Sequence, residues 1–254
     1  GGGLKPLNHD LSHPVPSVTT LPGQEAWSLR RDTAMLLFAR GPAERVIDAP
    51  SRLAAVLEQM SPAIIAVRWG RQVHGNVIAS LAAEPGHPLT GVHCVGRCDG
   101  LMTAEPGLAL AVWTADCVPV LIDGGEAVAA IHAGWRGIAS GIVERAVRRL
   151  EVEYGVPPAA QTAFLGPAIG PDHYPVGAEV VEALSRLPAA AHLWRSEGDR
   201  VDLRALIDAS LQRLGVAAVH RVAGCTSCDP RMASYRRDGD AAGRQWSLIF
   251  RCMA

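Results

Sequence analysis

The chain has 254 residues, with 24 lysines and arginines against 25 acidic residues, so its formal net charge is −1 at pH 7. This balance argues against a nucleic-acid-binding protein, because phosphate contacts need an excess of positive charge. Hydrophobic residues make up 48% of the chain and charged residues 19%, which excludes a disordered protein and permits a sizeable core. The length fits one large domain or two small ones.

The sequence has no candidate membrane span or targeting segment. The most apolar stretch, from Gly107 to Ile122, is interrupted by Asp116, whereas a spanning helix needs about 20 apolar residues. The first five residues lack the charged and apolar regions of a signal peptide. A chain of this length does not need its six cysteines as disulfides in order to fold, so we predict a cytoplasmic protein with reduced thiols.

The first half of the chain is predicted to begin with a flexible lead-in and to continue as short strands. Residues 1–25 are rich in Pro, His, Ser and Thr and show no period. Apolar patterning predicts a short helix within 43–60 and strands at 27–38, 63–67, 76–81, 108–114, 118–122 and 127–131. A kink is predicted at 115–117.

The second half is predicted to contain more helix. Apolar residues recur on one helical face at Ile138, Ile142, Ala146 and Leu150, and Gly155 predicts the end of that helix. The other predicted elements are strands at 163–165, 216–222 and 247–250 and helices near 177–186 and 202–213. Because strands and helices mix without strict alternation or a clean linker, we predict one layered α/β domain with a mixed sheet over residues 26–254.

Three potential metal ligands, His74, Cys117 and His132, lie at the ends of predicted strands. Loops at strand ends carry side chains into shared pockets. Imidazole and thiolate are good zinc ligands, and three protein ligands leave one tetrahedral position open for water, as in a catalytic site. The residues alone leave open that the three are unrelated, one a buried thiol and two polar loop histidines.

A glycine-rich segment, His132–Gly137, precedes the predicted helix. Gly134 and Gly137 would let the backbone approach a ligand closely, and amides at a helix N-terminus favour anions. Arg136 would bind phosphate with two parallel hydrogen bonds, in a bidentate manner. The alternative is an ordinary strand-to-helix turn.

Two cysteine pairs allow three interpretations. Cys94 and Cys98 together with Cys225 and Cys228 have the approximate spacing of a four-thiolate structural zinc site. The second pair also has the spacing of a redox-active dithiol. The third interpretation is that all four are isolated core thiols.

An arginine-rich turn at 234–239 contains Arg236 and Arg237, and it is either a substrate clamp or a solvated charged turn. The chain lacks the serine nucleophile elbow, the phosphate-binding loop of nucleotide hydrolases and the dinucleotide fingerprint. None of the nine histidines forms a His-x-His pair, which argues against a copper oxidase with several copper sites.

Taken together, the motifs occur in an order that resembles a known family. They are RQVHG at 71–75, CDGLMT at 98–103, TADCVP at 114–119, HAGWRG at 132–137, GPAIGP at 166–171, CT at 225–226 and SYRRDG at 234–239. With this set the chain resembles, over roughly residues 35–250, the laccase-domain or polyphenol-oxidase-like family. Its YfiH-type members are understood as purine nucleoside phosphorylases.

The resemblance implies a layered α/β fold like that of the catalytic domain of cytotoxic necrotising factor, with one zinc ion held by His74, Cys117 and His132. It implies phosphorolysis of adenosine, inosine, guanosine and methylthioadenosine, and deamination of adenosine. An older assignment of the family is a copper phenol oxidase. The expected partners are purine nucleosides and phosphate, with no nucleic acid or membrane, for a monomer or homodimer.

The candidate residues follow from these motifs. The candidate catalytic residues are Asp116, Arg40 and Arg136, with Asp116 as an acid or a hydrogen-bond partner. The candidate substrate-binding residues are Gln72, Gly134, Gly137, Arg236 and Arg237. We expect the arginines to make a locally positive pocket that the neutral total charge conceals.

Two segments depart from the family pattern. The family usually has Phe-Ser-Thr-Arg-Gly-Gly near its start, whereas this chain has a proline, Pro42, after Arg40 and Gly41. After Pro171 the family commonly has Cys-Tyr-Glu-Val, and here the segment runs from His173 to Val176. Three hypotheses follow: a zinc-dependent purine nucleoside enzyme, a copper phenol oxidase, or a non-catalytic metal-binding protein.

Overall fold

A computed structural model describes the backbone of residues 24–30 and 34–39 and the structure of residues 66–83, 90–190, 200–222 and 224–251. The predicted helix within 43–60 and the candidate residue Arg40 lie outside the described residues. The predicted lead-in at 1–25 also lies outside them, apart from the first two residues of the first strand.

The described strands form two six-stranded mixed sheets instead of the single mixed sheet predicted. The first sheet has the order β1-β2-β12-β7-β3-β5, and the second has the order β11-β10-β8-β9-β6-β4. The strands are β1 (Gln24–Arg30), β2 (Ala34–Ala39), β3 (Ala66–Arg71), β4 (Ile78–Leu81), β5 (Gly91–Arg97), β6 (Gly100–Thr103), β7 (Leu108–Thr114), β8 (Val118–Asp123), β9 (Val128–Ala133), β10 (Thr162–Leu165), β11 (Ala218–Arg221) and β12 (Gln245–Phe250).

The described helices differ from the prediction at two places, because one predicted helix is divided in two and the short helix at Tyr235–Asp238 was expected to be a turn. They are α1 (Trp135–Ala139), α2 (Ile142–Tyr154), α3 (Ala178–Ser185), α4 (Leu203–Arg213) and α5 (Tyr235–Asp238), with 3-10 turns at Pro158–Ala160, Pro171–His173 and Gly239–Ala241. The apolar periodicity that predicted one helix runs across both α1 and α2. The break falls at Gly141, whose φ of 78° lies in the left-handed region that glycine favours. Gly155, with φ 68°, ends α2 as predicted.

The second sheet lies in the middle of the molecule, with the first sheet on one face and helices on the other. β8 demonstrates this arrangement, because successive strand side chains point to opposite faces. Val120 and Ile122 join the core formed with α2 and α4. Leu121 joins the core that also contains Leu108 and Leu110 of the first sheet. The layered α/β class is therefore confirmed, and a strand buried on both faces explains the unbroken apolar pattern of β8.

Two strands were missed by pattern, and one was drawn too long. β5 is largely exposed and β6 has only four residues, so neither carries the alternation by which a strand is recognised. The strand predicted over 27–38 is two antiparallel strands, β1 and β2, in which Gln24 pairs with Ala39. No helix in the described part of the chain is long and apolar enough to cross a membrane.

Candidate metal centre and binding pocket

Strand register brings Cys117 next to His132. Cys117 directly precedes β8, which is antiparallel to β9, and Pro119 pairs with His132 near the end of β9. Two residues of the second sheet that lie 15 positions apart in sequence therefore meet at one sheet edge.

His74 reaches the same edge from the first sheet. Beyond β3, the side-chain amide of Gln72 donates to the carbonyl of Trp113 at 2.7 Å, and its oxygen accepts from the Trp113 amide at 2.8 Å. This pair of bonds continues the pairing of β3 with β7 by means of a side chain. Gln72 thereby fixes the turn that carries His74.

The donor atoms of His74, Cys117 and His132 lie within 4.8 Å of one another, and we call these residues the pocket trio. The two imidazole rings meet edge to face, with centroids 4.9 Å apart and planes at 74°. His132 is 3% exposed, Cys117 is partly exposed, and His74 is exposed. The sequence-predicted ligands are thus brought together around one point with an open side.

A buried carboxylate, Asp99, braces the pocket trio. Its oxygens accept hydrogen bonds from the backbone amides of Val73 at 3.1 Å and of His74 and Gly75 at 2.8 Å. The same side chain lies 2.9 Å from Nδ1 of His132, and the Asp99 carbonyl accepts from the His132 amide at 2.7 Å. One residue therefore orients both histidines.

The charges of these groups depend on one another. Burial alone would raise the pKa of Asp99, but hydrogen bonds from His132 and from two backbone amides lower it overall. Burial also opposes ionisation of Cys117 and His132. The hydrogen bonds of Cys117 with both histidines outweigh this and lower its pKa to about 6, while Asp99 and Cys117 raise the pKa of His132 to about 9. The metal-free pocket therefore favours a thiolate beside an imidazolium.

The donor set fits a zinc ion. Two imidazoles and one thiolate match the ligands that zinc prefers, and three protein ligands leave a tetrahedral position open. The bond to Asp99 occupies Nδ1 of His132 and leaves Nε2 as the donor, which is the carboxylate–histidine arrangement common behind metal ligands.

The two candidate glycines are explained by close packing. A Cβ atom on Gly134 would lie 3.0 Å from both the Cys117 sulfur and Cδ2 of His74. A Cβ atom on Gly137 would lie 2.9 Å from the Gly75 carbonyl oxygen. Neither glycine lines the cavity beside the pocket trio. Their small size lets α1 approach the pocket trio.

Two residues at the site have unusual backbone conformations. Among the non-glycine residues that the structure describes, positive φ occurs at His74, with 60°, and at Asp116, with 85°. One carboxylate oxygen of Asp116 accepts from the Thr226 hydroxyl at 2.6 Å, and the other accepts from the Arg236 amide at 2.6 Å. Asp116 therefore ties the β7–β8 junction to two distant segments of the chain.

A cavity of about 590 Å³ opens beside the pocket trio. Aromatic side chains line it at Trp69, Trp113, Trp135, Tyr174 and Tyr235. Arginines line it at Arg71, Arg136, Arg236 and Arg244, and Asp116 is the one acidic residue among the described residues of the lining. Such a volume suits a small organic ligand. The positive pocket expected behind the neutral total charge is present in this lining.

The three candidate arginines in the described residues lie in different surroundings. Arg136 is exposed and stacks on the ring of Trp135 at 4.3 Å, and Arg236 lies 5.0 Å from the ring centroid of Tyr174. Arg237 does not line the cavity. Its guanidinium donates to four backbone carbonyls, those of Thr226, Ser227, Asp229 and Met232.

Sequence reasoning missed several residues at this site. Asp99 was passed over although it stands inside the CDGLMT motif, and a lone acid between a cysteine and a glycine gives no sign of its partners. Arg71 and Trp69 stand just before the predicted ligand His74, so a search of that segment for cavity residues would have found them. Trp113 lies at the end of an apolar strand, and its buried Nε1 has no hydrogen-bond partner among the described residues.

The four-thiolate interpretation was wrong. Cys94 lies exposed on β5 of the first sheet and Cys98 is buried just after it, and neither belongs to a group of three donors in the described structure. Cys225 and Cys228 instead lie next to His173.

Comparison with known proteins finds one matching family model and similar bacterial proteins. Residues 40–252 match a family model described as multi-copper polyphenol oxidoreductase laccase. The purine nucleoside phosphorylase YfiH of Shigella flexneri is 37% identical over 189 residues, which cover 72% of each chain. The purine nucleoside phosphorylase Rv2149c of Mycobacterium tuberculosis is 36% identical over 214 residues, which cover 82% of each chain.

Two solved structures of bacterial proteins have folds similar to that of this chain. The crystal structure of Neisseria meningitidis protein NMB0706 superposes with a TM-score of 0.71 at 30% identity, covering 87% of this chain and 95% of that one. The YfiH protein of Bacillus licheniformis also reaches 0.71, at 25% identity, covering 85% of this chain and 92% of that one.

Proposed function

The chain belongs to the family described as multi-copper polyphenol oxidoreductase laccase, and from this premise we propose that it is a zinc-dependent purine nucleoside phosphorylase. The observation that carries the proposal is the cavity, in which the pocket trio meets a wall of aromatic rings and guanidinium groups. The names of the relatives point to the same activity.

The lining fits both substrates of a phosphorolysis. Aromatic rings offer flat apolar faces to a purine. Guanidinium groups bind phosphate oxygens with paired hydrogen bonds. We assign phosphate to the side of the cavity that holds Arg136 and Arg236, with Arg40 as a further candidate.

In the reaction, a phosphate oxygen bonds to C1′ of the ribose while the bond from C1′ to N9 of the purine breaks. The bond pair leaves with the purine, which takes up the proton that the attacking hydrogen phosphate gives up. The arginines hold the phosphate in line and neutralise its charge, which is mainly electrostatic work. His74, Cys117 and His132 would hold a zinc ion, which would supply Lewis acidity. Asp99 keeps His132 and the turn at His74 in the ligand geometry.

Asp116 acts as a positioning residue in this proposal. Both of its oxygens accept hydrogen bonds from the protein, so the hydrogen-bond role is favoured over that of a general acid. Its bond to the Arg236 amide sets the start of α5 and thus the position of Arg236 in the cavity.

The finer activities belong to the same proposal. We include inosine, guanosine and methylthioadenosine as phosphorolysis substrates and adenosine as a substrate for both phosphorolysis and deamination. Arg237 supports the pocket wall from behind, because its guanidinium is engaged with backbone carbonyls. A cytoplasmic location and a monomeric or dimeric state stay predictions.

Product analysis tests the proposal. Purified protein is incubated with adenosine with and without phosphate, and ribose 1-phosphate should form only with phosphate. Cys117→Ala should lose both the pocket metal and turnover, whereas Cys94→Ser, which alters an exposed thiol away from the cavity, should keep both. Full turnover by Cys117→Ala protein that lacks the pocket metal would refute the proposal.

A copper phenol oxidase is the second candidate, because two histidines and one cysteine are also the donor set of blue copper sites. Such sites usually carry a weak axial methionine, and no methionine lines the described cavity. This candidate predicts oxygen consumption with a phenol and a copper signal in electron paramagnetic resonance. A non-catalytic protein would instead keep zinc and convert no nucleoside.

A further inference from the structure

A second cluster of metal-type donors lies outside the cavity. Donor atoms of His173, Cys225 and Cys228 all lie within 4.8 Å of one another, and we call these residues the outer trio. His173 and Cys228 are exposed, and Cys225 is partly exposed. His173 stands in the segment where the sequence departs from the family pattern, and the function proposed above uses none of the three.

Two short segments build the outer trio. His173 ends the 3-10 turn Pro171–His173, and the cysteines flank a tight turn in which the amides of Cys228 and Asp229 both donate to the Cys225 carbonyl at 3.1 Å. The Gly170 amide donates to the Cys225 sulfur at 3.1 Å. This turn places both thiols on the side that faces the imidazole.

The distances match those around a tetrahedral zinc ion. With Zn–S bonds of about 2.3 Å and Zn–N bonds of about 2.0–2.1 Å, neighbouring sulfur and nitrogen ligands lie about 3.6 Å apart. Nδ1 of His173 lies 3.4 Å from the Cys228 sulfur and 3.9 Å from the Cys225 sulfur. The exposure of the cluster leaves room for water as a fourth ligand.

We propose that His173, Cys225 and Cys228 form a second zinc site, separate from the pocket trio. The ion ties the turn at 171–173 to the turn at 225–229. Thr226, inside the second turn, donates to Asp116, and Tyr174, next to His173, lines the cavity. The second ion therefore fixes the outer wall of the pocket and takes no part in the reaction.

Zinc stoichiometry tests this proposal on the full chain. Protein kept under a reductant is equilibrated with zinc, freed of excess by gel filtration, and measured for zinc and protein by mass spectrometry. We expect two ions per wild-type chain, one in Cys228→Ser, one in Cys117→Ala and none in the double variant. Cys94→Ser, the matched change of an exposed cysteine outside both clusters, should keep two.

Cobalt gives a second measurement that does not depend on activity or on total counts. The pocket trio supplies one of the three thiolates and the outer trio supplies two. Cys228→Ser should therefore lose more than half of the thiolate-to-cobalt charge-transfer absorption, although it loses only one of the two ions. Circular dichroism checks that each variant is folded.

A zinc content of Cys228→Ser equal to that of the wild type, whether one ion or two, would overturn the second site. A wild-type mass lower by two hydrogens that persists under reductant would overturn it as well, since it would indicate a disulfide between Cys225 and Cys228. Loss of turnover with two ions retained contradicts only the proposed phosphorylase, so the two proposals fail separately.

Discussion

The pocket trio and the outer trio use similar donors in different surroundings. In the pocket trio, a buried carboxylate bonds to one histidine and to the amide of the other, and strand register places the cysteine. The outer trio joins two surface turns, and its described brace consists of the backbone amides of Gly170, Ser227 and Cys228 against the Cys225 sulfur. The first site is preorganised by the fold, whereas the second relies more on the ion itself.

Because of this difference, we expect the pocket trio to stand out by its zinc affinity and the outer trio by the local order that zinc binding adds. Hydrogen bonds behind metal ligands typically change metal affinity by about 10–100-fold, so the pocket trio should hold zinc more tightly and exchange it more slowly. The outer trio should gain order on binding, because there the free energy of metal binding is partly spent on fixing loops.

The largest effect is expected from Asp99→Asn. The amide places an N–H donor against backbone donors and removes the charge that orients His132, which should cost about 3 kcal/mol in the free energy of unfolding. Measured in a Cys228→Ser background, zinc affinity of the pocket trio should fall about 10–100-fold. Denaturant unfolding and a competing chelator measure the two quantities.

Asp172→Asn is the matched control, since it removes an exposed carboxylate beside the outer trio. It should leave the pocket affinity unchanged. If Asp99→Asn kept wild-type affinity, the contrast between a site with a buried carboxylate brace and a site between surface turns would be wrong.

A smaller effect is expected from Gly134→Ala. The new methyl group meets the Cys117 sulfur and the His74 ring at 3.0 Å, so the ligands must shift, at a cost of about 1–3 kcal/mol. Pocket zinc should dissociate faster, with the outer trio unaffected, as measured by stopped-flow release to a chelator. Gly177→Ala is the control, because the three atoms nearest to its Cβ all belong to the movable side chain of Glu179. Equal release rates in both variants would contradict the close-packing role.

Asp116→Asn tests the connection between the two sites. An amide group would face one of the two donors, Thr226 or Arg236, and the loss of one such bond is worth about tenfold in kcat/KM. The loss should lie mainly in KM for phosphate, with both zinc ions retained. A fall in kcat with unchanged KM, or the loss of one limb of the pH–rate profile, would instead support Asp116 as the general acid.

The mildest test compares thiol titration in metal-free protein. Burial opposes ionisation of Cys117, but its hydrogen bonds with His132 and His74 lower its pKa to about 6, so its thiolate persists above pH 6 and is lost below it. The hydrogen bond with Cys225 and burial raise the pKa of Cys228. Alkylation followed residue by residue should therefore reach its plateau at lower pH for Cys117. If Cys228 instead reached its plateau at the lower pH, the inferred difference in thiol pKa between the two clusters would be wrong.

The sequence identified the pocket trio through motifs and could not have done so through spacing. His74, Cys117 and His132 are far apart in the chain, and strand order and register bring them together. Asp99 could not be found from the sequence for the same reason, since its role depends on hydrogen bonds from the backbone amides of the turn at 73–75. The outer trio is similar, because two cysteines of a C-x-x-C pair can be read in sequence but the histidine 52 positions before Cys225 cannot be joined to them.

The fold was predictable where apolar patterning is strong. β7 and β8 were located almost to the residue, and α4 began and ended within a position of its prediction. The division into two sheets was not, because period alone does not tell which strands pair. The break between α1 and α2 was also hidden, since side-chain periodicity continues across a glycine whose backbone turns left-handed.

The left-handed backbone at His74 and Asp116 has an evolutionary consequence. Glycine would relieve a backbone cost of about 1–3 kcal/mol at each position. At position 116 it would also remove the hydrogen bonds from Thr226 and Arg236, so the gain is offset there. Selection for stability and selection for function thus oppose each other mainly at position 74. In a lineage that no longer needs the site, position 74 should drift to glycine before position 116.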